Sequence, residues 1–312
     1  MNQRKKISIV SGCYNEEGNI EEFVGRVRTV MAGLPQYDCE IIVIDNCSTD
    51  RSRELLRAMA SADKRLKVIF NTRNFGHIRS PYHALLQAEG DAVMLLVSDL
   101  QDPPELIPEF LARWEEGSKV VAGVKEQSDE SPLFFLARRL YYRVVTKLSD
   151  TELIENFTGF GLYDRAVMDY LRKLGDPYPY FRGLVADSGF QTSRIVYRQP
   201  VRKRGFSKNN FYTLYDIAML GFTSHSKVPL RLAAMLGFAT SLLSLLVALV
   251  YLAYKLLFWS RFPVGTAPLV IGIFFFASVQ LFFIGILGEY IGAIYTQVLK
   301  RPLVVEKERI NF

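Results

Sequence analysis

The residues best placed to do chemistry lie at the end of an apolar run. Val93–Glu105 reads V-M-L-L-V-S-D-L-Q-D-P-P-E. A continuous apolar stretch closed by turn residues suits a strand buried on both faces of a sheet. In open α/β sheets, ligands bind beyond the carboxyl ends of such strands. Asp99 and Gln101 offer hard oxygen donors there, suited to Mg²⁺ or Mn²⁺ carrying a diphosphate. A structural alternative stands beside this reading: Asp99 and Asp102 cap the helix opened by Pro103 and Pro104.

The elements that must position this turn are legible around it. Strands are expected at Lys6–Ser11, Glu40–Ile44, Leu66–Phe70, Val93–Val97 and Val120–Val124, alternating with helices to about Met31, over about Arg79–Ala88 and over Pro104–Glu116. That alternation implies βαβ units and a mainly parallel, Rossmann-like α/β sheet. Three of the first four strands run into polar clusters, at Tyr14–Glu17, Asp45–Asp50 and Ser98–Asp102. They would line one sheet edge, where a nucleotide lies. The chain lacks G-x-G-x-x-G and the P-loop lysine signature, which argues against a standard dinucleotide or ATPase site.

The chain has 312 residues and a formal net charge of +6. A basic balance points to nucleic acid, an anionic membrane or a phosphorylated ligand. Two apolar runs, Val228–Trp259 and Thr266–Leu299, each supply the roughly 20 residues of a transmembrane helix. Lys227 and Arg231 before the first, and Lys300, Arg301, Lys307 and Arg309 after the second, place both chain ends on the cytoplasmic side. The expected division is a catalytic domain over 1–210, a juxtamembrane helix over 211–226, a two-helix membrane domain over 227–299 and a cytoplasmic tail over 300–312. No secretory signal is evident at the N-terminus. Cys13, Cys39 and Cys47 follow no disulfide or zinc pattern and read as reduced cytoplasmic thiols.

Pro132–Leu148 is aromatic and aliphatic on one side, with Arg138, Arg139, Arg143 and Lys147 elsewhere, the composition of a helix in the membrane interface. An amphipathic core helix with a solvated basic face is the plainer alternative. Tyr197–Asn210 concentrates Arg198, Arg202, Lys203, Arg204 and Lys208. Such a loop suits lipid headgroups or a clamp on a diphosphate. Glu289, near the end of the second run, is a candidate by its depth, or a structural partner at the interface.

Taken in order, these motifs resemble the inverting glycosyltransferases of family 2, with the GT-A fold. The matching pieces are Y-N-E-E at Tyr14–Glu17, D-N-C-S-T-D at Asp45–Asp50, R-N-F-G at Arg73–Gly76, S-D-L-Q-D-P-P-E at Ser98–Glu105, R-G-L-V at Arg182–Val185 and R-K-R-G-F-S-K at Arg202–Lys208. The two C-terminal runs make the chain similar to the polyprenyl-phosphate branch, which includes dolichyl-phosphate mannose synthases and bactoprenol glucosyltransferases.

The resemblance implies roles. Tyr14, Asn15, Glu16 and Asp45 would hold the nucleoside, and His77 would contact a phosphate or the base. Asp99 and Gln101 would hold Mg²⁺ or Mn²⁺ on the donor diphosphate. Arg202, Ser207 and Lys208 would close over the phosphates, with Arg182, Arg138 and Arg139 serving the acceptor phosphate. It implies a nucleotide-sugar donor, most readily a UDP-sugar, a polyprenyl phosphate acceptor at a bacterial inner membrane, and a homo-oligomer, tetrameric in some relatives. No nucleic-acid partner is expected.

Two positions depart from the family pattern. Val97 stands where Asp-x-Asp would begin, and Thr158–Leu162, T-G-F-G-L, lacks the Asp of T-G-D-F-R-L. Asp187 is the nearest acidic replacement, expected to position sugar or phosphate more than to abstract a proton. A polyprenyl phosphate, with its second pKa near ~6, is already mostly dianionic at neutral pH. A processive synthase would carry Q-x-x-R-W, but Phe110 occupies the Gln position before Arg113-Trp114. A catalytically weak nucleotide-sugar-binding scaffold is the remaining alternative, and turnover separates it from an enzyme.

Overall fold

A computed structural model describes residues 4–126, 154–200, 219–220, 228–258 and 266–312. The strands are β1 (Lys5–Cys13), β2 (Tyr37–Asp45), β3 (Leu66–Asn71), β4 (Ala92–Leu95), β5 (Val120–Lys125), β6 (Phe157–Asp164), β7 (Thr192–Tyr197) and β8 (Glu306–Ile310). They form one sheet in the order β7-β5-β6-β4-β1-β2-β3-β8. β1 pairs in parallel with β2 and β4, and β2 with β3. β6 runs antiparallel between β4 and β5, and β7 parallels β5.

The helices are α1 (Ile20–Ala32), α2 (Ser52–Ala62), α3 (Gly76–Leu86), α4 (Ile107–Glu115), α5 (Arg165–Leu174), α6 (Phe181–Asp187), α7 (Val228–Leu257) and α8 (Thr266–Val298). Central strands bury both faces, which is why they read as apolar runs. Ile7 and Ile9 of β1 join Phe23 of α1, Leu56 of α2 and Phe110 of α4 in one core. Val10 joins Tyr82 of α3, Leu171 of α5 and Val185 of α6 in the other. The result is a three-layer α/β/α domain, the GT-A architecture anticipated from the motifs.

β6 was not anticipated, and its glycines explain why. A Cβ on Gly161 would sit 2.7 Å from the Val121 carbonyl oxygen of β5, and a Cβ on Gly123 of β5 would sit 2.4 Å from Cδ1 of Phe160 in β6. Close backbone approach requires glycine here, and glycine weakens the strand pattern. Phe160, within the segment where the family Asp was sought, is buried against Phe110 and Tyr197, with ring centroids 4.9 and 5.0 Å apart. This segment therefore serves the core.

The tail expected over 300–312 instead returns to the domain as β8, antiparallel to β3. Both guanidinium nitrogens of Arg57 meet Glu308, at 2.6 and 2.5 Å. Asn311 Nδ2 donates to the carbonyls of Ala60 and Leu66 at 2.7 and 2.8 Å. The alternation E-K-E-R-I carries charge along a sheet edge, a pattern that blunts edge-to-edge pairing and hides the strand from a hydrophobicity reading.

α7 and α8 hold the two segments long and apolar enough to cross a membrane, Leu230–Val247 and Gly272–Val298. Leu243, Leu246, Phe274 and Phe282 are among their exposed side chains. The expected interfacial helix over 132–148 and nearly all of the juxtamembrane segment over 211–226 lie outside the described residues.

Candidate active site

The strand order fixes where a ligand can sit. β1 has β2 on one side and β4 on the other, so the connections leaving them diverge and open a crevice at their carboxyl ends. The Ser98–Asp102 turn stands at that switch point. Ser98 Oγ donates to the Gly12 carbonyl at 2.8 Å, tying the turn to the end of β1. Leu100 adopts φ 63°, and Gln101 N donates to Asp99 Oδ1 at 3.1 Å. Arg26 of α1 grips Glu105 through two hydrogen bonds of 2.8 and 2.5 Å, fixing the start of the following helical turn.

The clusters after β1 and β2 are laced together. Asn15, at φ 56°, accepts from Thr49 N at 2.8 Å, and its own N–H donates to Ser48 Oγ at 2.9 Å. Glu16 N donates to Ser52 Oγ at 2.9 Å, while its carboxylate accepts from Asn19 at 2.6 Å. Tyr14, Asn15 and Glu16 remain partly exposed. Asp45 differs. It is fully buried, accepts from Ser48 N at 3.3 and 3.2 Å, and pairs with Arg53 at 3.3 Å. Burial pushes its pKa up against those bonds. These bonds tie Asp45 into the turn that follows β2.

The R-N-F-G loop is set by an amide network. Asn46 Oδ1 accepts from Phe75 N at 2.9 Å, and Asn46 Nδ2 donates to Asn74 Oδ1 at 2.8 Å. This brings His77, in the first turn of α3, near Arg182 of α6. Desolvation, then the Arg182 guanidinium, lower the His77 pKa, so the imidazole is neutral at pH 7. Arg182 also reaches the Phe157 carbonyl at 3.3 Å.

Asp187 ends α6, about 7.5 Å of helix beyond Arg182. It is exposed, and its charge is felt by Tyr170 on α5. Arg138, Arg139, Arg202, Ser207 and Lys208 lie outside the described residues.

The residue that the motif reading passed over is Asp102. Only 3% exposed, it accepts from Tyr197 Oη at 2.8 Å. Burial lifts its pKa to about 6, against the bonds from Tyr197 and the Val97 N–H and the charge of Lys125. Tyr197 also bonds the Thr158 side chain. One buried carboxylate therefore holds the Asp99 turn to β6 and β7. Its signal in the sequence was a second Asp before Pro-Pro, which suits a helix cap equally well.

Among the described residues, no group of three or more His, Cys, Asp and Glu side chains is gathered to hold a metal. Val97 is 42% exposed where a second carboxylate would stand. Asp99 with Gln101 would offer oxygen ligands too few for an all-protein cage. They fit a Mg²⁺-like ion that takes one or two carboxylates and completes its shell with substrate phosphates and water.

This arrangement meets its counterpart in comparison with known proteins. Residues 8–172 match the model of Glycosyl transferase family 2. The chain belongs to that family. Residues 228–294 also match the GtrB C-terminal hairpin, which coincides with α7 and most of α8. A bactoprenol glucosyl transferase of Shigella phage SfII is 34% identical over 307 residues, covering 97% of this chain and 98% of that protein. The uncharacterized glycosyltransferase YkcC of Bacillus subtilis is 33% identical over 307 residues, covering 98% and 94%. Among solved structures, a mannosyltransferase of Pyrobaculum calidifontis in complex with GDP-Man and Mn²⁺ aligns with a TM-score of 0.48 at 18% identity, covering 95% of this chain and 88% of that one.

Proposed function

We propose that this chain transfers a sugar from a nucleotide sugar, a UDP-sugar on our reading, to polyprenyl phosphate at the cytoplasmic membrane face, with inversion. The observation that carries this is near full-length similarity to bactoprenol glucosyl transferases, hairpin included. The polar turns at the switch point and the two apolar helices supply the two environments such a reaction needs.

In this reading an acceptor phosphate oxygen attacks the anomeric carbon, the bond to the donor diphosphate breaks, and the nucleoside diphosphate leaves. The nucleophile is already an anion near neutral pH, since its second pKa lies near ~6. The enzyme's work is to align two repelling anions and stabilise the charge that develops on the leaving group. Tyr14, Asn15 and Glu16, backed by Asp45, hold the nucleoside. His77 and Arg182 face the phosphates. Asp99 and Gln101 would hold Mg²⁺ or Mn²⁺, which would supply positive charge to the leaving diphosphate. Arg138, Arg139, Arg202, Ser207 and Lys208 supply cations and donors to the acceptor and the closing loop. Asp187, exposed at the end of α6, helps position the sugar or phosphate.

The test is an acceptor comparison. Purified chain is given radiolabelled UDP-, GDP- and dTDP-sugars with either undecaprenyl phosphate or undecaprenol. The proposal expects organic-phase label from one donor with the phosphate and none with the alcohol. Equal transfer to the alcohol, or none to either acceptor, overturns it.

A further inference from the structure

Most arginines of the described α/β domain that lie near a carboxylate pair with it: Arg26 with Glu105, Arg57 with Glu308, Arg65 with Asp63 and Arg172 with Asp169. Arg73, Arg79 and Arg301 do not. Among the described residues none of the three has a carboxylate in ion-pair range, yet they are held close together. The guanidinium carbons of Arg73 and Arg79 lie 4.0 and 5.6 Å from the centroid of the same Phe75 ring. Arg79 donates to the carbonyl of Pro302, the residue after Arg301. Its Nε is buried with no partner among the described residues. Burial first, then the positive charges of Arg73 and Arg301, lower the pKa of Arg79.

The depth of this cluster follows from α8. Its apolar segment ends at Val298, and Arg301 follows three residues later. A headgroup layer is roughly 5–8 Å thick on each side of the hydrocarbon. If α8 spans a bilayer, Arg301 stands in that layer, and the Arg79–Pro302 contact draws the start of α3 to the same depth. Three guanidiniums with no carboxylate ion pair among the described residues, one with an unused donor, then face the phosphates of the lipid surface. Guanidinium geometry suits phosphate oxygens, and the crowding is relieved when an anion arrives.

We propose that Arg73, Arg79 and Arg301 form a binding site for the phosphate of an anionic bilayer phospholipid, locking the catalytic domain against the membrane at the exit of α8. The proposal rests on the spanning reading of α8. It does not depend on which sugar is transferred.

The full chain in an uncharged detergent is titrated with phosphatidylglycerol, phosphatidylcholine or undecaprenyl phosphate, and lipid retention is read by native mass spectrometry. The expected result is preferential retention of phosphatidylglycerol over phosphatidylcholine. Each of Arg79→Gln and Arg301→Gln weakens that retention about fivefold, from the worth of one cation at an anionic surface. Lipid-free melting temperatures within about 2 °C of wild type show that the variants fold. Equal retention of the two phospholipids, an unchanged preference in the double variant, or retention of undecaprenyl phosphate alone each overturns the proposal. Carbonate extraction of membranes tests the span separately. Release of the wild-type chain overturns the depth argument, whereas an integral chain with no lipid preference overturns the arginine site alone.

Discussion

Tyr197→Phe probes how the catalytic turn is held. It removes one hydroxyl, the donor to Asp102 at 2.8 Å, and leaves a ring of nearly the same shape against Phe160. A hydrogen bond to a charged group contributes about 1.5–3 kcal/mol, which is about one to two pKa units at 1.36 kcal/mol each. Asp102 titrates at about 6 in the wild type, so at pH 7 roughly nine-tenths of it is ionised. Without the phenol its pKa moves to about 7–8, and the ionised fraction at pH 7 falls to between about half and one-tenth.

The ionised form accepts the bonds that shape the Asp99 turn, so kcat/KM should follow it. At pH 7 the variant loses about two- to tenfold, and the loss recovers toward pH 9. The acceptor phosphate also titrates near ~6, but its pKa does not change with the enzyme. Movement of the acidic limb in Tyr197→Phe therefore belongs to the protein. Stability gives a second readout. The folded pKa is raised from 3.8 to about 6, so the stability that protonated Asp102 contributes is present below about pH 4 and lost as pH rises through 6. The full loss is about 3 kcal/mol in the wild type; in the variant it extends to about pH 7–8 and grows to about 4–6 kcal/mol. Lipid-phase product formation measured from pH 5 to 9, with thermal melts over the same range, tests both. An acidic limb that stays in place, or a loss equal at every pH, refutes the reasoning.

Asp187→Asn should keep turnover within about threefold, because the nucleophile needs no base; a hundredfold loss in kcat at constant KM would make it catalytic. Chelation of divalent cations should stop transfer, and Mg²⁺ or Mn²⁺ should restore it, since Asp99 and Gln101 alone leave the diphosphate charge unmet; full activity in chelator refutes this. Asn311→Ala should lower the unfolding free energy by about 1–2 kcal/mol, since two carbonyls lose their donor; an unchanged denaturation midpoint would detach β8 from domain stability.

The first four strands were legible because burial on both faces writes itself as apolar runs. Their polar ends were legible because a sheet presents them together. Val93–Val97 became Ala92–Leu95, a small shift that left Asp99 at the switch point. What stayed hidden depends on partners distant in sequence. β6 needs glycine at 161, where the Val121 carbonyl crowds the backbone, so its pattern is faint. β8 is charged and finds its place only against β3 and Arg57. Asp102 looked like a cap because its decisive partner, Tyr197, is 95 residues away. The partners of Asp45, Arg53 and Ser48, are likewise set by the fold of the turn and are not marked by the motif.

The central claim is that the Asp99 turn drives sugar transfer to a lipid phosphate. The most direct measurement compares lipid-phase label formed by wild type and by Asp99→Ala from the same nucleotide sugar and undecaprenyl phosphate. The account predicts robust label for wild type and at least a hundredfold less for Asp99→Ala, with intact folding by melting temperature. Equal label from both proteins, or none from wild type with any donor, contradicts it.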